Sequence, residues 1–352
     1  MGKKQHYVPQ FLLRNWSDDK SSIKTYLLNE NKVIPAASIS SQAQKHYLYG
    51  EDQVIEEILC SLEEESSLII SKFLTGNLNL SLEERKTIIH FIAMQNVRTP
   101  NAIQRTNDMA TALARDLLIK EKQFEEFREN IKDLNVSFTD PSAKQLEFFL
   151  STFLMYIDLK ICLLKANDKN NFIIGQDPII TLNPYLEEKK WPGPKRGIGL
   201  RGVIIILPIS PLHTLCLYDK SVYRILNGNN ISYLNDEDIN LLNEYQFLTT
   251  DNVIFYKNLL GNFEDFTKET ENYRNNPKAN VQNYINVEDP QKMLVATQWE
   301  EYGLPQKFSF YAIRESAYKM ELNSYSVVRE NTFYAEQYYR SDPKFSFLFK
   351  DR

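Results

Sequence analysis

The chain predicts an α+β fold: a bundle of about four long helices packed against a mostly antiparallel sheet. Three observations carry that expectation. Between Asp52 and Lys165 apolar residues recur near the 3.6-residue helical period. Beyond Asn167 the period drops to two or gives way to continuous apolar runs, which is strand behaviour. A hairpin signal also precedes the bundle, so sheet material lies on both sides of it in sequence.

The opening run His6-Tyr7-Val8-Pro9-Gln10-Phe11-Leu12-Leu13-Arg14-Asn15-Trp16 places Pro9 in the first turn of a short helix, where its missing N–H costs nothing. Gln10 and Arg14 then share a face at i, i+4. Phe11, Leu12 and Trp16 pack inward, and His6 sits just before the helix. Ile23 to Leu28 and Lys32 to Pro35 flank Asn29-Glu30-Asn31 as a hairpin. From Asp52, Val54, Ile55, Ile58, Leu59, Leu62, Ile69, Ile70 and Phe73 form a helical stripe with glutamates opposite. Gly76-Asn77 ends it. Ser81-Leu82-Glu83-Glu84 is a capping box for a helix running to about Val97. A third helix is expected from about Asn101 to Asp133, and a fourth from about Ser142 to Lys165.

Strands are expected at residues 172–175, 179–182, 203–207, 214–218, 223–226 and 253–256, with a helix at 235–247 capped by Asn235. Residues 272–289 are polar and asparagine-rich and read as a loop. Residues 308–313 and 326–328 add further strand candidates. The expected organisation is an N-terminal motif and hairpin (1–50), a helical bundle (51–167), a sheet-rich part (168–265) and a C-terminal extension (266–352), forming one interleaved domain.

At 352 residues with 43% hydrophobic and 25% charged content, the chain has ample core material. A net charge of −5 argues against coating nucleic acid by bulk electrostatics but leaves room for a local basic cleft. Cys60, Cys162 and Cys216 form no CxxC pair and are expected to be buried, reduced thiols. No apolar leader and no run long enough to span a bilayer are visible, so a cytoplasmic protein without a membrane partner is expected.

Several motifs bring chemistry-bearing residues into apolar surroundings: the opening run, Gln95-Asn96-Val97-Arg98-Thr99-Pro100, Gly175-Gln176-Asp177-Pro178 and Leu207-Pro208-Ile209-Ser210-Pro211. Together with Tyr47 or Tyr49 and the run Glu63-Glu64-Glu65, these motifs resemble the family DUF4238 over roughly residues 3 to 260. The resemblance implies a set of positions, His6, Arg14, Arg98 and Asp177 among them, and almost no chemistry. It departs mildly at Trp16, where phenylalanine is more frequent in the family, and at Gly-Gln-Asp-Pro, where the family has Ser-Asp-Asn-Pro.

The residue types allow specific roles. His6 is a general acid or base, a ligand or a satisfied core histidine. Asp177, after an apolar strand and before a proline, projects a carboxylate into a cleft or bonds its own turn. The run Glu63-Glu64-Glu65 is a solvated helix face, or Glu64 or Glu65 turns inward from it toward an arginine. Gln95 and Arg98, at i, i+3 near a helix end, bind substrate or brace helix-end carbonyls or a glutamate. The loop from Pro184 to Arg201 interleaves Lys189, Lys190, Lys195, Arg196 and Arg201 with Trp191, against Glu187 and Glu188; it is a solvated surface loop or a segment suited to phosphate contact and base stacking.

Gly197-Ile198-Gly199-Leu200-Arg201-Gly202 matches a dinucleotide fingerprint literally, but a strand follows it where a helix is required, so no dinucleotide cofactor is expected. Glu187-Glu188-Lys189 lies in a loop, whereas a nuclease core needs its E-x-K on a strand. The four histidines lack metal-ligand spacing. A divalent metal is left open but not indicated.

The expectation is therefore a nuclease-like or nucleotide-phosphodiester-acting effector of the bacterial defence or toxin type. His6, Asp177 and Glu64 are the catalytic candidates. Gln10, Arg14, Gln95, Arg98, Lys195 and Arg196 are the substrate-binding candidates. The alternative is a non-catalytic sensor or binding protein whose polar cluster is a buried structural network. Substrate and oligomeric state stay open. A single site requires His6, Arg14, Arg98 and Asp177 to converge.

Overall fold

The computed structural model describes residues 4–49, 54–226, 228, 230–259, 262–274, 279–285, 293–299, 304–323 and 326–329. The fold is α+β. The opening run gives β1 (Lys4–His6), then Pro9 in extended conformation as N-cap of α1 (Gln10–Leu13), which tightens into a 3-10 turn ending at Trp16. The hairpin strands are β2 (Ser22–Leu27) and β3 (Lys32–Ser38), and β4 (Gln44–His46) returns to pair with β1. Then come α2 (Val54–Leu74) and α3 (Leu82–Val97), the latter started by the Ser81–Glu84 capping box.

Two helices end earlier than their sequences suggest. The third is α4 (Pro100–Lys120), followed by a 3-10 stretch and α5 (Arg128–Lys132). The segment after Lys120 is charged and has no continuous apolar stripe to pack, so helix does not propagate through it. The fourth is α6 (Pro141–Thr152), and residues expected at its end form β5 (Lys160–Lys165). Ile161-Cys162-Leu163-Leu164 is a continuous apolar run, which helix and buried strand share. Pairing with a long-range partner decides for strand.

The remaining elements are β6 (Ile174–Gly175), β7 (Ile180–Leu182), α7 (Pro184–Glu188), β8 (Ile204–Ser210), β9 (His213–Tyr218), β10 (Tyr223–Ile225), β11 (Ile231–Tyr233), α8 (Asp236–Thr249), β12 (Val253–Tyr256), α9 (Phe263–Arg274), β13 (Ala279–Ile285), β14 (Met293–Trp299), β15 (Tyr311–Ile313) and α10 (Glu315–Lys319). The segment 272–289, read as loop, thus holds the end of α9 and β13, and its residues 275–278 and 286–289 lie outside the described residues. Expected strand 326–328 is reduced to a bridge between Leu200 and Val328.

The central sheet has the order β11-β5-β9-β8-β7, antiparallel except for β11 beside β5. Both of its faces are buried. Ile161, Leu163, Ile205, Leu207, Leu215 and Leu217 share a core with α2, α3 and the N-terminal motif. The alternate residues Cys162, Leu164, Ile204, Ile206, Cys216 and Tyr218 pack with α7 and α8. Burial on two faces explains why these strands read as unbroken apolar runs. The N-terminal hairpin does not join this sheet. It forms a second one, β3-β2-β12-β6, by pairing β2 with β12. Cys162 and Cys216 are buried free thiols on facing positions of β5 and β9, whereas Cys60 is exposed on α2.

Residues 197–202 form a loop that leads into β8. Gly202 has φ +80°, and a Cβ there would stand 2.6 Å from that of Tyr185. Its glycine therefore serves a left-handed turn packed on α7. Glu187 and Glu188 lie on the one-turn helix α7, started by Asn183, rather than in a loop. Among the described residues, no helix is long and apolar enough to cross a membrane.

Candidate functional site

Thr99 and Pro100 turn the chain sharply between α3 and α4. Thr99 is extended, as a residue before proline prefers, and its Oγ1 accepts the Ala102 N–H at 3.1 Å. The same hydroxyl donates to Asp177 Oδ1 at 3.0 Å. One turn into α4, Arg105 Nη1 donates to Asp177 Oδ2 in an ion pair. Asp177 is only 1% exposed, while Arg105 keeps 32% of its side-chain surface open.

Asp177 is fixed from behind as well. Its carbonyl accepts from Thr249 Oγ1, and Pro178 O accepts from Gln246 Nε2 at 2.7 Å. Gly175 lets the end of α8 come this close: a Cβ there would lie 1.8 Å from Thr250 Oγ1. The neighbouring Gln176 points the other way. Its Nε2 donates to the Tyr7 hydroxyl at 2.6 Å, and its Oε1 accepts the N–H groups of Asn252 and Val253.

Asp177 and Arg105 line a cleft of about 640 Å³. Ala102, Arg105, Thr106 and Met109 of α4 form one wall, and Gln145, Phe148 and Thr152 of α6 another. Ile179 and Thr181 lie beneath, and residues 191–198 close the far side with Trp191, Lys195 and Arg196. Lys195 Nζ is paired with Glu187 at 2.8 Å. Among the described lining residues, three cations (Arg105, Lys195, Arg196) face one buried carboxylate, Asp177. The cleft is thus locally basic in a chain of net charge −5.

A second polar cluster lies at the junction of β1, α2 and α3. Arg98, 2% exposed, donates from Nε to Gln95 Oε1 at 2.8 Å and from Nη1 to Glu63 Oε1 at 2.7 Å. Gln95 Nε2 donates to Tyr7 O at 2.8 Å. The Tyr49 hydroxyl donates to the carbonyls of His6 and Arg98. Three buried atoms here, His6 Nε2, Glu56 Oε2 and Arg98 Nη2, lack a hydrogen-bond partner among the described residues. Burial lowers the His6 pKa, opposed chiefly by a hydrogen bond to the Ser40 backbone and by Glu63. Burial, then the Glu63 charge, raises that of Glu56.

The candidate residues therefore divide. Asp177, Lys195 and Arg196 line the cleft. His6, Gln95 and Arg98 belong to the neighbouring cluster, joined to the cleft through the sequence step from Arg98 to Thr99. Gln10 and Arg14 bond each other at the surface, Arg14 Nη2 to Gln10 Oε1 at 3.0 Å, and neither lines the cleft. Glu64 and Glu65 lie on the exposed face of α2, and the glutamate that turns to Arg98 is Glu63. Glu63 is four residues after the buried Leu59 and three before the buried Ser66, so it shares their inward face. Thr99, Arg105 and Glu56 were not singled out from sequence. The stripe Ala102, Arg105, Thr106, Met109 at i, i+3, i+4, i+7 was the available signal for Arg105. Among the described residues, no group of three or more His, Cys, Asp or Glu side chains is placed to hold a metal ion.

Histidine burial sets an acid limit. Desolvation pushes His90 from 6.5 down to about 4, between the rings of Phe149 and Phe153. His213 is lowered similarly, and more weakly coupled to stability because it is only half buried. A depressed histidine binds fewer protons folded than unfolded. Its contribution is present above 6.5 and lost as pH falls from 6.5 toward 4. For His90 the loss reaches up to about 3 kcal/mol. Melting temperature followed from neutral to mildly acidic pH should fall less steeply in His90→Leu than in the wild type.

No curated protein and no solved structure matches the chain. A family model described as a protein of unknown function matches residues 4–259, well over half the chain, and includes β1, the Arg98–Glu63 cluster and every described wall of the cleft. The chain belongs to the DUF4238 family.

Proposed function

We propose that the cleft takes a phosphodiester, borne by a nucleotide or a nucleic-acid segment, and that the protein is a nuclease-like effector acting on that linkage. The observation that carries this reading is the cleft itself. Arg105, Lys195 and Arg196 stand with Trp191 and Phe148 around a buried acid, in about 640 Å³. Guanidinium and ammonium groups recognise phosphate, and aromatic rings beside them suit a base. The volume lies in the range of small-ligand sites. Chemistry of this kind fits an effector of the bacterial defence or toxin type.

The test is binding and cleavage of a labelled single-stranded oligonucleotide. The double substitution Lys195→Glu/Arg196→Glu should weaken binding by about tenfold or more and flatten its salt dependence. Wild-type protein should shorten the oligonucleotide, and the double variant should not. Equal binding by both proteins would remove the cleft from the account.

A second reading has its own support. The motif side chains Asn15, Trp16, Gln95 and Gln176 spend their polar groups on internal backbone, on Tyr7 or on Arg98. That favours a non-catalytic binding protein with a structural network. Tight binding without cleavage would select it.

A further inference from the structure

We propose that residues 326–329, which lie beyond the family match, are a strap that holds the cationic wall of the cleft in place, with Arg329 as its pin, and so sets how tightly the cleft takes its ligand. The effect on ligand binding rests on the reading of the cleft as a phosphodiester site; the holding of the wall does not.

The pin is one buried side chain that serves two walls. Arg329 is 3% exposed. Its Nη1 donates to the carbonyls of Ile198 and Leu200, and its backbone N–H to that of Gly199 at 2.9 Å. Three consecutive carbonyls of the loop thus accept from one residue. The rest of the guanidinium is spent on the segment that follows α6. Nη2 donates to Met155 O, and Nε and Nη2 bond the Asp158 carboxylate at 3.0 and 3.2 Å. Ile198 lines the cleft on the cationic side, and Gln145, Phe148 and Thr152 of α6 line it on the other. Arg329 itself does not line it, so whatever it does to a ligand passes through residues 191–198. It is a positioning residue.

The rest of the strap follows the same plan. Arg201 donates its backbone N–H to Val327 O at 2.7 Å and its Nε to Ser326 O at 2.8 Å, and Leu200 bridges to Val328. Val327 is buried in the apolar cluster on which Trp191 and Leu200 pack. A Cβ at Gly199 would stand 3.3 Å from Met155 Sδ, so glycine lets the loop lie close against that residue. The glycine-rich run 197–202 is therefore the seat of the strap. The near end of the wall is tied to α7, through Lys195 to Glu187 and the Trp191 N–H to Leu186 O. The strap ties its far end to the α6 side. A wall fixed at both ends needs little ordering when a ligand arrives, which favours binding. Freed at one end, it opens locally at low cost.

The experiment pairs hydrogen–deuterium exchange, read by mass spectrometry, with titration of the labelled oligonucleotide at several salt concentrations. Full-length wild type is compared with Arg329→Met. Methionine fills space without a charge, and Asp158, 13% exposed, keeps the charge of Arg85 nearby. Exchange should speed up in residues 191–201, above all at Arg201, whose N–H is bonded to the strap, and stay as in wild type in the central sheet. Binding should weaken about tenfold as the wall must be ordered anew. Its salt slope should not change, because Lys195 and Arg196 still meet the phosphates. Where exchange rises throughout Arg329→Met, Arg329→Lys takes its place: it keeps a charge beside Asp158 but has one nitrogen to divide between two walls. Unchanged exchange in residues 191–201, or a rise throughout both variants, overturns the strap. Unchanged binding, or a flatter salt slope that makes Arg329 a phosphate contact, overturns it as well. No binding by wild type removes the phosphodiester reading alone, and exchange then decides whether the wall is held.

Discussion

Replacing Glu63 with alanine should destabilise the protein by about 3–5 kcal/mol, and more than Arg98→Met does. The order follows from burial. Arg98 is 2% exposed and Glu63 22%. Without Glu63, a guanidinium charge is left inside the protein with, among the described residues, only Gln95 on Nε and the Phe91 ring 5.9 Å from its carbon. Without Arg98, the glutamate reaches water. Methionine fills much of the arginine's space without a charge to solvate. Glu64→Gln, on the exposed face of the same helix, should lie within about 0.5 kcal/mol of wild type. Chemical denaturation of the three variants checks the order. A larger cost for Arg98→Met would mean that the arginine stem, rather than the charge pair, holds the junction.

Trp16→Ala should cost a similar amount, about 3–5 kcal/mol. Trp16 is 2% exposed and closes the core between the N-terminal motif and the central sheet. Its Nε1 donates to Phe172 O at 2.9 Å, so truncation opens a cavity and also leaves a carbonyl unpaired. Trp16→Phe keeps most of the volume and removes only the donor, and should cost about 1–3 kcal/mol. A small effect of Trp16→Ala would mean that residues 4–16 are held elsewhere and that the motif is not a structural clasp.

These residues show how far the sequence is legible. The caps were readable because their signals are local: Ser81 and Glu84 bond each other's backbone within one turn, and Asn235 Oδ1 accepts the Asp238 N–H. The two-sided burial of β8 was visible as an apolar run. The start of β5 was not, because Ile161 continues the spacing of the helix before it and only pairing with β9 makes it strand. The hairpin's partner, β12, is likewise a long-range choice. For the site, Asp177 stood out by its apolar surroundings, but its cation did not. Arg105 is 72 positions away and resembles any arginine on an amphipathic helix. The glutamate run shows the same limit in miniature: three adjacent carboxylates differ only in helical phase, and the packing of α2 against α3 brings Glu63 to Arg98. The cationic loop was readable in composition, whereas its position opposite Asp177 depends on β7, α7 and β8 bringing it back across α4.

The most direct test of the cleft as a phosphodiester site is photo-crosslinking of a 4-thiothymidine oligonucleotide to the full-length protein, with the attachment mapped by mass spectrometry. The account predicts crosslinks to Trp191 or its neighbours in residues 191–198, lost on competition with unlabelled oligonucleotide and lost in Lys195→Glu/Arg196→Glu. Crosslinks confined to another surface, such as the shallow pocket at Tyr26, Tyr256 and Phe263, or none above background, would contradict it.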